Sequence, residues 1–250
     1  MMPATRINQR AVRYRRSFLF AVFFLFASSL FSFSPACLAQ DVVDRMVATV
    51  NGGVRPDLIT YSDLIWQLAL EPGTPLANPG QQDLNRALQL IISQQLILQE
   101  AEKLPTITPT DKEVETELAT LIKEFSSQAD FQERVMRVGL SAEQLREIVR
   151  KRVAIEKYLD FRFRSFTVIT TREVEAYYTD IYVPRLRRQM PGVIVPLLDD
   201  PVREPNGTTR TVRTRIENIL TEDKIKSDID AFLDEARERA EIVYLVPEFK

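Results

Sequence analysis

The sequence contains no histidine and a single cysteine, Cys37. Without histidine, histidine-based triads and histidine metal sites are excluded. Nor is there a glycine-rich phosphate cradle; the seven glycines are scattered over 250 residues. The chemistry left belongs to carboxylates, hydroxyls, lysines and tyrosines. The carboxylates stand beside lysine and arginine, as in "DKEVETELATLIKEF" (111–125), a pattern that a solvated helix face explains. The chain reads as a non-enzyme, with no catalytic residue, cofactor or metal expected.

Acidic residues are missing from the N-terminus. Arg6, Arg10, Arg13, Arg15 and Arg16 precede an apolar run, 18–27, and no acid occurs before Asp41. The small residues of "SPACLAQD" follow, with Cys37 and Ala39 at the −3 and −1 positions of a cut before Gln40. Basic, apolar, then small is the order of a secretory signal peptide. The run is short for a membrane span, which needs about 20 apolar residues. Residues 1–39 are therefore expected to be a cleaved signal; the alternative is a retained N-terminal anchor. Removing them takes 5 of 33 basic residues and none of 35 acidic ones, leaving 28 − 35 = −7. A chain of that charge is not built to neutralise phosphates, and no nucleic acid is expected. The cysteine leaves as well, so no disulfide is available and the exported part must rest on its core.

Proline is absent from 110–183, where Gly139 is the one glycine, and both are absent from 208–246. Such runs with apolar residues at three and four spacing predict helices. One covers Asp83–Leu104 and is apolar around most of its circumference, hence central. Thr110 and Glu113 form the capping box of the next, carrying Val114, Leu118, Leu121, Ile122 and Phe125. A shorter helix over Asp130–Val138 ends at Gly139. Ser141 with Gln144 and Thr170 with Glu173 open two more, and the last helix runs over Val212–Ala240. Between them, five prolines within 184–205 predict a linker, with a turn at Asn206.

Strand signals are few. Met46–Val50, Leu58–Thr60 and the β-branched and aromatic Ile242–Val246 remain, with Gly52 and Gly53 for a turn between the first two. Isolated strands leave backbone groups unpaired, so one small antiparallel sheet joining the two ends of the chain is expected. The fold class is mainly α: a multi-helix lobe with that sheet.

These pieces resemble a known family. "VVDRMVATVNGGVRPDLITYSDL" is similar to the N-terminal segment of SurA-type periplasmic chaperones, and the likeness continues through "ALQLIISQQLILQEAEKL", "TPTDKEVETEL", "GLSAEQLREIVRKRVAIEKYL" and "VITTREVEAYY". It resumes in "IENILTEDKIKSDIDAFLDEARERAEIVYL", covering most of 42–178 and 212–246. The family carries parvulin-type prolyl isomerase domains between the helical region and the terminal helix. Here the 33 residues 179–211 are too few for one. The resemblance thus implies a chaperone core without isomerase: a helical region 40–183, a linker 184–211, and a terminal helix and strand 212–250 packing back.

It also implies function. The expected activity is a periplasmic holdase binding unfolded polypeptide clients, outer-membrane protein precursors among them, with no membrane span after signal cleavage. The alternative is an envelope adaptor or scaffold using the same lobe for one fixed partner. A holdase needs adaptable apolar side chains that no folded partner has claimed. "YLDFRFRSF" (158–166) and "EAYYTDIY" (175–182) supply Tyr158, Phe161, Phe163, Tyr177 and Tyr178 as candidate client-binding residues. The competing account packs these rings between helices; should removing them change neither stability nor client binding, the crevice is expected against the Asp83–Leu104 helix.

Overall fold

The computed structural model describes residues 44–51 and 56–249, and Asp44–Lys250 forms one compact unit. The expected signal segment 1–39 and the Gly52–Gly53 turn lie outside the described residues.

Three strands make the sheet: β1 (Met46–Asn51), β2 (Asp57–Thr60) and β5 (Glu241–Tyr244), in the order β2-β1-β5 and antiparallel throughout. Val50 faces Asp57 on one side and Ile242 on the other, so both ends of the described chain share one central strand. A register shift between Met46 and Ala48 bulges β1 and turns Val47 and Ala48 inward together.

Thr60 ends β2 and caps α1 (Tyr61–Ala69), its hydroxyl accepting the Asp63 N–H while the Asp63 carboxylate accepts the Thr60 N–H. The central helix α2 runs over Gln81–Ala101, a turn short of the expected end, because Pro105 leads the chain into a 3₁₀ turn. Leu64, Leu68, Leu88 and Ile92 of α1 and α2 pack with Val47, Val50 and Ile59 of the sheet into one core.

The helices α3 (Asp111–Lys123), α4 (Gln128–Arg137) and α5 (Ala142–Arg162) build a second core around Val114, Leu121, Phe131, Val149 and Val153. Gly139 ends α4 at φ 65°, and the Gly139 and Leu140 N–H groups bond back to Met136 and Val135. The box Ser141–Gln144 opens α5, as its sequence predicts.

Glu113 closes the α3 capping box and also accepts Lys157 Nζ of α5 at 2.8 and 3.0 Å. The Lys157 ammonium, helped by the Thr110 N–H and hydroxyl, lowers the Glu113 carboxyl from 4.5 to about 2. A carboxyl depressed in the folded state contributes stability that is present above its unfolded value and is lost as pH falls through the folded one. The urea midpoint should therefore fall as acid is added from pH 4.5 toward 2, and Glu113→Gln should flatten that decline. Parallel acid limbs for the two proteins would show that the pair contributes nothing.

After α5 the structure departs from the expected linker. Capped by Thr170, α6 (Thr171–Tyr177) runs through a π-helical turn (Tyr178–Tyr182) directly into α7 (Val183–Gln189). Pro184 does not stop it, because it sits in the first turn of α7 where the wider turn has already loosened the hydrogen-bond ladder. Residues 201–211 form a hairpin, β3 (Pro201–Arg203) and β4 (Thr209–Thr211), whose turn places Gly207 at φ 84°. The expected turn at Asn206 is this one. The segment is also pinned, since Leu198 and Val202 pack on Val174, Val212 and Ile216. Thr211 then caps α8 (Val212–Arg239), which leads into β5.

Candidate functional site

The helices α2 and α5 pack against each other and together line a cavity. On α2, Ile91, Gln94, Gln95 and Leu98 follow helical spacing, and on α5 Ile148, Lys151, Arg152 and Ile155 do the same. Each face reads aliphatic, polar pair, aliphatic. These two faces line a cavity of about 140 Å³ that Leu58, Asp63 and Gln67 complete at the sheet end. A second cavity of about 280 Å³ shares Gln94, Arg152 and Ile155 with the first and reaches Leu159, Ile225 and Ile229 of α5 and α8. Together they form one groove along α2, α5 and α8. It runs along the central helix that sequence reasoning kept as the other place for a crevice.

Arg152 sits where the two cavities meet. It donates Nη2 to Gln67 Oε1 at 3.1 Å and has no carboxylate within 4.0 Å among the described residues. Burial pulls its pKa below the ordinary arginine value, while Glu117, Glu124 and Glu71 act only at a distance. The other half-buried arginines are better satisfied. Arg150 meets Glu147 and Asp111, Arg213 meets Asp199, Arg237 meets Asp234, and Arg134 meets four backbone carbonyls. Arg152 thus keeps hydrogen-bonding capacity directed at whatever enters the groove.

The five rings chosen from sequence fall into three places. Tyr158 and Phe163 are core, which corrects their reading as contact residues: both are buried and close on Phe232 of α8 at 6.1 and 5.7 Å. Arg162 covers the Phe163 ring from outside at 5.5 Å. Tyr177 and Tyr178 are half-buried and hold the 184–211 segment; Tyr178 donates its hydroxyl to the Pro196 carbonyl at 3.0 Å and stacks on Tyr182. Phe161 alone points outward, 48% exposed, edge-to-face with Phe166, which is 70% exposed. Neither ring lines the groove; Phe166 lines a separate cavity of about 340 Å³ with Phe163 and Phe232.

Sequence reasoning missed Gln94, Gln95, Arg152 and Phe166. The amide pair had a signal, because "SQQ" interrupts the otherwise aliphatic "LIISQQLIL". Arg152 had none: in "REIVRKRVAIEK" it stands among other charged residues like any arginine of a solvated helix face.

Among the described residues no cluster of carboxylates is placed to hold a metal ion, and no helix is long and apolar enough to cross a membrane. No protein-family model matches the chain, and no curated protein is significantly similar to it.

Proposed function

We propose that this protein is a holdase-type chaperone that takes extended, partly apolar polypeptide segments into the groove between α2, α5 and α8. The observation that carries the reading is a groove lined by aliphatic side chains throughout, with the amides Gln94 and Gln95 toward the sheet and the charged Glu156, Asp160 and Arg164 toward α8. An amide both donates and accepts, so Gln94 and Gln95 can pair with a client's backbone whatever its sequence. Ile91, Ile155, Leu159 and Ile229 supply apolar contact without selecting one side chain. The exposed Phe161–Phe166 pair is a separate apolar surface that no packed partner covers. The SurA-like sequence motifs support the same reading, and with it a periplasmic setting and precursors of outer-membrane proteins as clients. The lack of room for an isomerase domain in 179–211 supports holding without isomerisation.

Gln94 lines both cavities, so Gln94→Trp should fill the groove where they meet. Light scattering of an unfolded β-barrel membrane protein should be suppressed by the wild type, and the variant should need at least ten times more protein for the same effect. Its melting temperature should stay within a few degrees. Equal suppression by the folded variant would remove the groove from the mechanism. Failure of the wild type to suppress any of several unrelated clients, with capture of one stoichiometric partner, would replace the holdase by an adaptor.

A further inference from the structure

The segment 190–197 carries the least covered apolar surface of the α6–α8 region. Met190, Val193, Ile194 and Leu197 are all exposed, Ile194 to 91%. The shape that presents them is built, since Pro191 and Gly192 occupy the centre of a tight turn with Gly192 at φ 86° and the Val193 N–H bonding the Met190 carbonyl. Proline then a glycine at positive φ is the type II arrangement. The base of the projection is anchored on three sides. Tyr178 holds the Pro196 carbonyl, the Arg213 N–H bonds the Leu198 carbonyl at 2.7 Å, and Asp200 accepts the Leu197 N–H. A rigid base therefore presents an aliphatic tip to solvent.

Charge says what the tip meets. Residues 184–198 contain Arg185, Arg187 and Arg188 and no acid, in a processed chain whose formal charge is 28 − 35 = −7. All three arginines are exposed, and none has a carboxylate within 4.0 Å among the described residues. They lie on α7, in the last turns before the tip. An aliphatic tip with a collar of unpaired arginines matches a bilayer surface: side chains enter the acyl boundary and guanidinium groups meet lipid phosphates. A protein partner fits less well, because stable interfaces bury roughly 800 Å² per side and centre on aromatic anchors, which this tip lacks.

We infer that the 185–197 projection is a membrane-docking element that seats the protein reversibly on an anionic phospholipid bilayer, independently of the polypeptide groove. The test is vesicle flotation of the chain from Gln40, which contains the compact unit and omits the N-terminal apolar run. Phosphatidylcholine vesicles containing one third phosphatidylglycerol should carry the protein at low salt. Pure phosphatidylcholine should bind at least tenfold more weakly. Replacing Arg185, Arg187 and Arg188 by glutamine should weaken anionic binding roughly 100-fold, each charge near such a surface contributing about a factor of five. Ile194→Asp with Leu197→Asp should abolish flotation while the melting temperature holds, since neither side chain is packed. Absence of binding to anionic vesicles would overturn the inference, as would undiminished binding by the folded aspartate variant. A variant that loses unfolded-client binding while wild-type protein ignores vesicles would assign the tip to protein instead.

Discussion

A chain ending at Ala240 is expected to melt at least about 10 °C below the intact protein, or to fail to fold. The cut removes β5, whose four residues pair with Ala48, Thr49, Val50 and Asn51. It also removes Val246 and Phe249, both buried in the core formed with Leu64, Leu88 and Ile92. A buried phenylalanine is worth about 3–5 kcal/mol against alanine, and burying a valine about 1.5 kcal/mol or more. The half-buried Ile242 and Tyr244 add to this, and so does the Gln81 bond to the Glu248 carbonyl at 2.9 Å. The loss is then about 5 kcal/mol or more, from a domain whose whole margin is roughly 5–15 kcal/mol. At about 2–4 °C per kcal/mol for a chain of this length, the shift is at least about 10 °C. Thermal unfolding followed by circular dichroism checks it. A truncated protein melting within about 3 °C of the intact one would show that the sheet does not hold the two ends.

That closure was readable in the sequence because a short strand at each end has no other partner. The capping boxes at Thr110, Ser141 and Thr170 were readable for a different reason: all their atoms lie within four residues. What failed depended on distant partners. Tyr158, Phe161 and Phe163 look alike in "YLDFRFRSF", yet only the position of Phe232 on α8, some 70 residues later, decides which rings turn inward. The last turn past Arg162 also changes pitch into a 3₁₀ turn at Arg164–Phe166, which carries Phe166 outward beside Phe161. The proline density of 184–205 was real but misleading. Proline breaks a helix from its interior, whereas Pro184 sits at a helix start and Pro201 opens an edge strand. The groove was half legible, since the "SQQ" interruption marks its α2 wall but nothing local marks Arg152 as unpaired.

Arg134 should prove the most sensitive charged side chain of the helical half. The last carbonyls of a helix have no partner within it, and those of α1 turn toward α4 rather than toward water. Arg134 Nε donates to Ala69 O at 3.1 Å, and Nη2 lies within 3.0 Å of the Leu68, Glu71 and Thr74 carbonyls. Its positive charge also stands at the negative end of α1, above the Phe125 ring at 5.9 Å. Hydrogen bonds from a charged donor contribute about 1.5–3 kcal/mol, and half-buried carbonyls left bare cost more than exposed ones. Arg134→Met keeps the stem and removes every donor, so it should cost about 2–4 kcal/mol. Arg134→Lys should recover part of the loss, because an ammonium near the Nη2 position reaches the Leu68, Glu71 and Thr74 carbonyls but leaves Ala69 O without its Nε donor. The protein's single tryptophan gives a local reporter, since Trp66 of α1 donates Nε1 to Val138 O at the end of α4. Denaturant unfolding followed by Trp66 fluorescence should show both midpoints lowered, the methionine variant more. A methionine variant as stable as the wild type would mean that the α1 carbonyls find water as readily as they find Arg134, and the two helices would then be joined by apolar packing alone.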